Sequence, residues 1–117
     1  MVYMKTGFWL LAMVVIFGAF GAHGLQAFVT PERLETWETA VRYHAWMSLF
    51  LIAITGTSFQ ISDWAYRFVV VGLLVFSGSL YLLVLFDIAL LGAITPIGGI
   101  LMIIGIVTAA MTCRTRN

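Results

Sequence analysis

His23 and His44 are the only two histidines in the chain, and each lies in an otherwise uncharged run. Histidine is the side chain whose unperturbed charge changes between pH 5 and 8. An ionisable group inside a membrane segment is a functional candidate by default, although a neutral imidazole can also donate one bond to a nearby carbonyl and serve structure. A proton relay needs an acid close by. The acids are Glu32, Glu35, Glu38, Asp63 and Asp87, all at expected helix ends or loops. If His23 sits near the non-cytoplasmic end of its helix, then His23, His44 and one carboxylate from Glu38 or Asp87 could meet around a shallow site. Two histidines make a weak metal signal, because catalytic zinc normally takes three protein ligands, and no metal site is expected.

Cys113 is the only cysteine, which excludes an internal disulfide and a cysteine-based metal centre. It reads as a small residue near a helix end. There is no glycine-rich phosphate loop, no Ser/His/Asp order with recognisable flanks, and no basic stripe interleaved with aromatics. A haem between the histidines has no attachment motif to support it. The residues therefore point to neither enzyme, nucleic-acid binder nor cofactor protein, and the net charge of +1 adds no case for an acidic partner.

The elements that must position these groups follow from charge spacing. No charged residue lies between Lys5 and Glu32, Arg42 and Asp63, Arg67 and Asp87, or Asp87 and Arg114. Each gap approaches or exceeds the roughly 20 apolar residues that cross a hydrocarbon core about 30 Å thick. With 62% hydrophobic and 9% charged residues, the chain has too little ionic surface for a water-soluble domain, where about 25% is usual. The expected fold is all-α, an integral membrane bundle of four transmembrane helices in one domain, 1–117. The spans fall at about 7–28, 43–62, 68–86 and 96–113. Thr30-Pro31 and Thr95-Pro96 each read as an N-cap followed by proline at the first helical position. Asp87 to Ile94 reads as a short re-entry loop. The first run, with Lys5 ahead of it and small residues from Gly18 to Ala22, has the grammar of a signal peptide and is expected to be a retained helix.

Between the first two spans, about 31–42, Leu34, Trp37 and Val41 recur at helical spacing among charges. This connector is expected to lie on the membrane surface or to run straight into the second span. Glu38 and Arg42 stand four apart in the order favourable to a helix pair, with solubility of the connector as their expected role. Trp64 and Tyr66 suit a membrane interface. Lys5, Arg67, Arg114 and Arg116 fall on one side, against Arg33 and Arg42 on the other. Both termini are therefore expected in the cytoplasm of a bacterium, with the chain in the plasma (inner) membrane.

Small residues should mark helix contacts, since lipid tails are as apolar as leucine. Gly18, Gly21, Ala22 and Leu25 share a stripe on the first helix, and Gly98, Met102, Gly105, Ala109 and Thr112 share one on the fourth. Gly72 and Ser79 mark one side of the third, with Ser77 and Tyr81 on a different side and Gly78 between. On the second, His44, Ser48, Thr55, Ser58 and Ser62 share a face that should point inward. Its hydroxyls can bond back to their own helix, so the stripe need not imply water.

Four motifs in order carry a resemblance. They are Gly18-Ala19-Phe20-Gly21-Ala22-His23-Gly24-Leu25, Trp37-x-x-Ala40-x-x-Tyr43, Phe76-Ser77-Gly78-Ser79-Leu80-Tyr81, and Gly92-Ala93-Ile94-Thr95-Pro96-Ile97-Gly98-Gly99. Together they resemble domain-of-unknown-function family 423, small four-helix membrane proteins of bacteria with relatives in mitochondria-bearing organisms. The resemblance implies the same four-span fold and no established activity. Relatives often place a histidine at the position of Met47; here His44 comes about one turn earlier and could stand in for it.

Three functions remain open. The leading expectation is a non-catalytic bundle acting through helix packing, as a homo-oligomer or an accessory subunit of a larger membrane complex. A second is a proton or small-solute path along the polar face of the second helix, with His23 and Tyr81. A third is lipid or hydrophobic-cofactor binding at glycine-lined grooves, with the free N–H groups from Pro96 to Gly99 holding a headgroup phosphate.

Overall fold

The computed structural model describes residues 2–116. Four helices dominate it: α1 (Val2–His23), α2 (Pro31–Thr55), α3 (Asp63–Phe86) and α4 (Thr95–Thr112). Short 3-10 turns at Leu25–Ala27 and Ala89–Ala93 follow α1 and precede α4. Two short strands, β1 (Phe59–Gln60) and β2 (Arg114–Thr115), pair antiparallel with Phe59 opposite Thr115. By length and composition, α1 with its following turn, α3, and α4 with its preceding turn are apolar enough to cross a membrane.

The second helix is where the structure departs most from the expected bounds. The connector at about 31–42 and the span at about 43–62 are one uninterrupted α2 that ends at Thr55, so Ser58 and Ser62 lie outside it. Thr30 caps it by accepting from the Arg33 N–H, and Pro31 opens its first turn. The connector does not lie on the surface because Trp37 is buried, with its indole N–H donating to the Phe17 carbonyl at 2.9 Å. Trp37, Ala40, His44, Ser48 and Leu51 form the buried stripe, at spacings that return to one helix face. α2 runs antiparallel beside α1 over the same depth: Gly7 abuts Ser48 and Leu51, and Gly21 abuts Trp37. Four helices thus make up the bundle, with the first half of α2 packed along α1 through Trp37 and its charged residues Glu32, Glu35, Glu38 and Arg42 exposed.

Other bounds shift for local reasons. Ser62 accepts from the Trp64 N–H and starts α3 at Asp63, five residues before the expected 68. Trp64 is exposed as an interface residue should be, whereas Tyr66 is buried and stacks on Tyr3 at 4.3 Å. α3 ends at Asp87, whose φ of 56° is a left-handed cap that aspartate tolerates. α4 begins one residue early. Thr95 is its first residue rather than its cap, and its hydroxyl donates to the Leu91 carbonyl.

Each helix packs chiefly on its neighbours in sequence, α1 on α2, α2 on α3 and α3 on α4. The molecule is a slab of 52 × 26 × 17 Å, its least dimension about one and a half helix diameters. β1–β2 pairing and the Tyr3–Tyr66 stack place both ends of the chain beside the start of α3. At the opposite end Arg33 pairs with Asp87 and donates to the Leu83 carbonyl at 3.1 Å, closing the last turn of α3.

Candidate functional site: a histidine cleft between three helices

Two buried clusters divide the interior. Leu51, Tyr66, Val69, Leu73 and Met102 fill the end near the termini; Leu25, Trp37, Leu80 and Val84 fill the other. Between them the side chains do not close. A cleft of about 100 Å³ remains, lined by Leu10, Met13 and Phe17 of α1, His44 of α2, and Leu73, Leu74, Ser77, Gly78 and Tyr81 of α3.

His44 is 3% exposed. Its Nδ1 lies 2.8 Å from the Tyr81 hydroxyl, and its Nε2 has no hydrogen-bond partner among the described residues. The Leu10 carbonyl comes near the ring without reaching hydrogen-bond geometry. Tyr81 is held by Phe17 at 4.8 Å and Trp37 at 4.6 Å between ring centroids. Ser77, one turn before Tyr81 on α3, donates across to the Ala40 carbonyl at 2.8 Å. His44, Ser77 and Tyr81 therefore converge on one cleft wall, from stripes that the sequence places on separate helices.

The other expected groups go elsewhere. His23 is exposed at the end of α1, six residues and about 9 Å along the axis beyond Phe17. It does not meet His44, and Asp87 is taken by Arg33. Among the described residues no three or more His, Cys, Asp or Glu side chains could hold a metal. The Ser48 and Thr55 hydroxyls donate to the His44 and Leu51 carbonyls of their own helix. Neither Ser48 nor Ser77 faces a base.

The small residues also divide. A side chain on Gly98 would collide with the Phe76 backbone, one on Gly105 would meet the Val69 backbone at 2.9 Å, and one on Gly21 the Trp37 ring at 2.7 Å. These are close contacts, and at Gly98 the space beside the helix is filled by α3. Gly18 makes only an ordinary contact with Val41, and Ala22 is exposed. Gly78, expected to pack, has nothing within 4 Å of its missing side chain because it stands at the cleft. Gly18, Gly21 and Ala22 line a groove of about 300 Å³ together with Trp37, Glu38, Val41 and Arg42. Two contributors were missed in sequence, Gly7 and the partnership of Trp37 with Tyr81. The available signal was the seven-residue step from Trp37 to His44, which shares a face only if α2 is continuous.

Fold and site define a small polytopic helical membrane protein with a polar pair held between its helices. The chain belongs to the DUF423 family, described as a protein of unknown function, which it matches over residues 17–99. A UPF0382 membrane protein of Staphylococcus aureus is 48% identical over 96 residues, covering 80% of this chain and 79% of the relative. UPF0382 membrane protein YwdK of Bacillus subtilis is 39% identical over 107 residues, covering 85% and 87%. No solved structure matches the chain.

Proposed function

We propose that this chain is a non-catalytic membrane protein that acts through helix packing, with a second copy of itself as its partner. The observation that carries this reading is the position of Glu38 and Arg42. Both are exposed on α2, beside the Gly18–Ala22 groove. Val41 touches Gly18, which puts Arg42 about four residues, or roughly 6 Å, from the middle of α1, and Glu38 about one turn farther out. Both thus lie within the roughly 15 Å half-thickness of the hydrocarbon core. A lipid-facing charge near the middle of a helix costs about 2.5–3.5 kcal/mol on insertion scales. Among the described residues the only ion pair is Arg33–Asp87, so neither Glu38 nor Arg42 forms an ion pair within the chain.

A two-fold axis along the membrane normal removes that cost. Arg42 of each copy reaches one turn up to the partner's Glu38, and the same patch serves both subunits. The small residues of α1 let the second backbone come close. Native mass spectrometry of the chain, released from its own membrane in mild detergent, should give two copies. Assemblies containing other polypeptides and one copy would instead make it an accessory subunit, and a lone monomer would contradict both.

The bacterial plasma membrane with cytoplasmic termini is the orientation supported by Lys5, Arg67, Arg114 and Arg116 at the terminal end, against Arg33 and Arg42. Cys113, exposed and the only cysteine, reports on it directly. A membrane-impermeant maleimide should leave Cys113 unlabelled in intact cells and label it after permeabilisation; labelling in intact cells would reverse the orientation.

A further inference from the structure

At the end of the bundle opposite the chain termini, an open pocket lies beside the Arg33–Asp87 ion pair. It measures about 470 Å³, within the roughly 300–1,000 Å³ of small-molecule sites. Its lining is apolar at Phe20, Phe28, Val84 and Leu85, and charged at Arg33 and Asp87. Arg33 comes from the first turn of α2, and Asp87 is the residue that caps α3.

The ion pair leaves hydrogen-bonding groups of both partners unspent. Arg33 Nη1 donates to the Leu83 carbonyl, and Nη2 donates to Asp87 Oδ1. A guanidinium carries more N–H donors than these bonds use, so its Nε–H and a further N–H on each Nη have no partner among the described residues. Asp87 Oδ2 accepts no bond there either, and the side chain is 77% exposed. Two bonds hold the Arg33 fork in place, and the left-handed cap holds the Asp87 backbone.

Charge decides what such a pair accepts. A cation and an anion in contact carry no net charge, so an anionic lipid gains at Arg33 and loses at Asp87. A ligand with both signs gains at each. Phosphate suits the remaining guanidinium donors, because the planar fork matches its oxygens. A primary ammonium can donate to Asp87 Oδ2, whereas a quaternary ammonium has no N–H to give. An ethanolamine headgroup joins phosphate and amine through a short two-carbon link, which fits partners that touch each other. Depth agrees with a lipid. Here α1 ends, α2 begins and α3 ends, while Phe20 and Leu85 are exposed within their helices, where acyl chains run.

We propose that this pocket binds a zwitterionic phospholipid with a primary-amine headgroup, its phosphate on Arg33 and its ammonium on Asp87. The lipid adds to the Arg33–Asp87 pair rather than replacing it, and its chains cover Phe20 and Leu85. The pocket shares no lining residue with the Gly18–Ala22 groove, so this site and self-association fail separately.

The test is native mass spectrometry of the full chain in mild detergent, titrated with dioleoyl phosphatidylethanolamine, phosphatidylcholine and phosphatidylglycerol. Wild type should retain the ethanolamine lipid about threefold more tightly than either other lipid, a difference in keeping with one exposed charge contact. Glycerophosphoethanolamine, the same headgroup without chains, should not displace it. Asp87→Asn removes the charge and keeps a residue that tolerates the left-handed cap. It should abolish the preference over phosphatidylcholine and strengthen binding of phosphatidylglycerol. Arg33→Gln should weaken all three lipids, which share the phosphate. Equal retention of the three lipids by wild type, a preference that survives Asp87→Asn, or displacement by the chainless headgroup would overturn the proposal.

Discussion

The seam between α3 and α4 and the space between α1, α2 and α3 are built from the same kinds of residue to opposite ends. Along the first, Gly72, Gly98 and Gly105 bring backbone against backbone, so that an added side chain would collide with the Phe76 nitrogen at Gly98 and come within 2.6 Å and 2.9 Å of main-chain nitrogens at Gly72 and Gly105. The Ser79 and Thr95 hydroxyls, 2.6 Å apart, bridge it. Along the second, large rings keep the backbones apart: Trp37, Phe17, Tyr81 and His44 interlock, and a cleft stays open where Gly78 offers nothing to fill it. Glycine closes one interface and leaves a mouth in the other. What decides is the facing element, since a glycine opposite a backbone allows contact and a glycine at the edge of a ring cluster leaves space.

Three substitutions sharpen this contrast, each read as a change in unfolding free energy of the reconstituted protein. Gly98→Ala should have the largest effect, because its new methyl group meets the Phe76 backbone rather than a side chain that could turn away. Overpacking of this kind costs about 3 kcal/mol, at the upper end of the usual range. Ser77→Ala removes one bond between α3 and α2 and should cost about 0.6 kcal/mol, the average for such bonds in membranes. Gly78→Ala should change stability by less than about 0.5 kcal/mol, as a substitution that meets nothing. A large loss at Gly78, or none at Gly98, would break the distinction between the two regions.

How much of this was legible in the sequence depended on where charges fell. The uncharged gaps expose α1, α3 and α4, since nothing ionic interrupts α1 after Lys5, α3 after Arg67, or α4 at all. The start of α2 was legible at Thr30-Pro31, but Glu32, Arg33, Glu35, Glu38 and Arg42 left open whether the connector lies on the surface or runs straight into the second span, as it does. Hydropathy measures affinity for lipid, and this half of α2 is partly sheltered by α1 and α3. His44 with Ser48, and Ser77 with Tyr81, could be read as helix faces from their spacing. That the two faces meet depends on the register of antiparallel helices, which spacing along one chain does not specify. Gly78 misled for a similar reason: a small residue permits close approach, and only the neighbouring helix determines whether approach occurs.

Self-association through the charges of α2 is the claim to test most directly. Energy transfer between labelled copies in sealed vesicles would compare the wild type with Glu38→Arg, Arg42→Glu and the doubly exchanged protein. Wild type should associate, each single exchange should weaken association at least about tenfold by setting like charges face to face, and the double exchange should restore it. Equal association in all four proteins, or none in any, would contradict a contact made by Glu38 and Arg42.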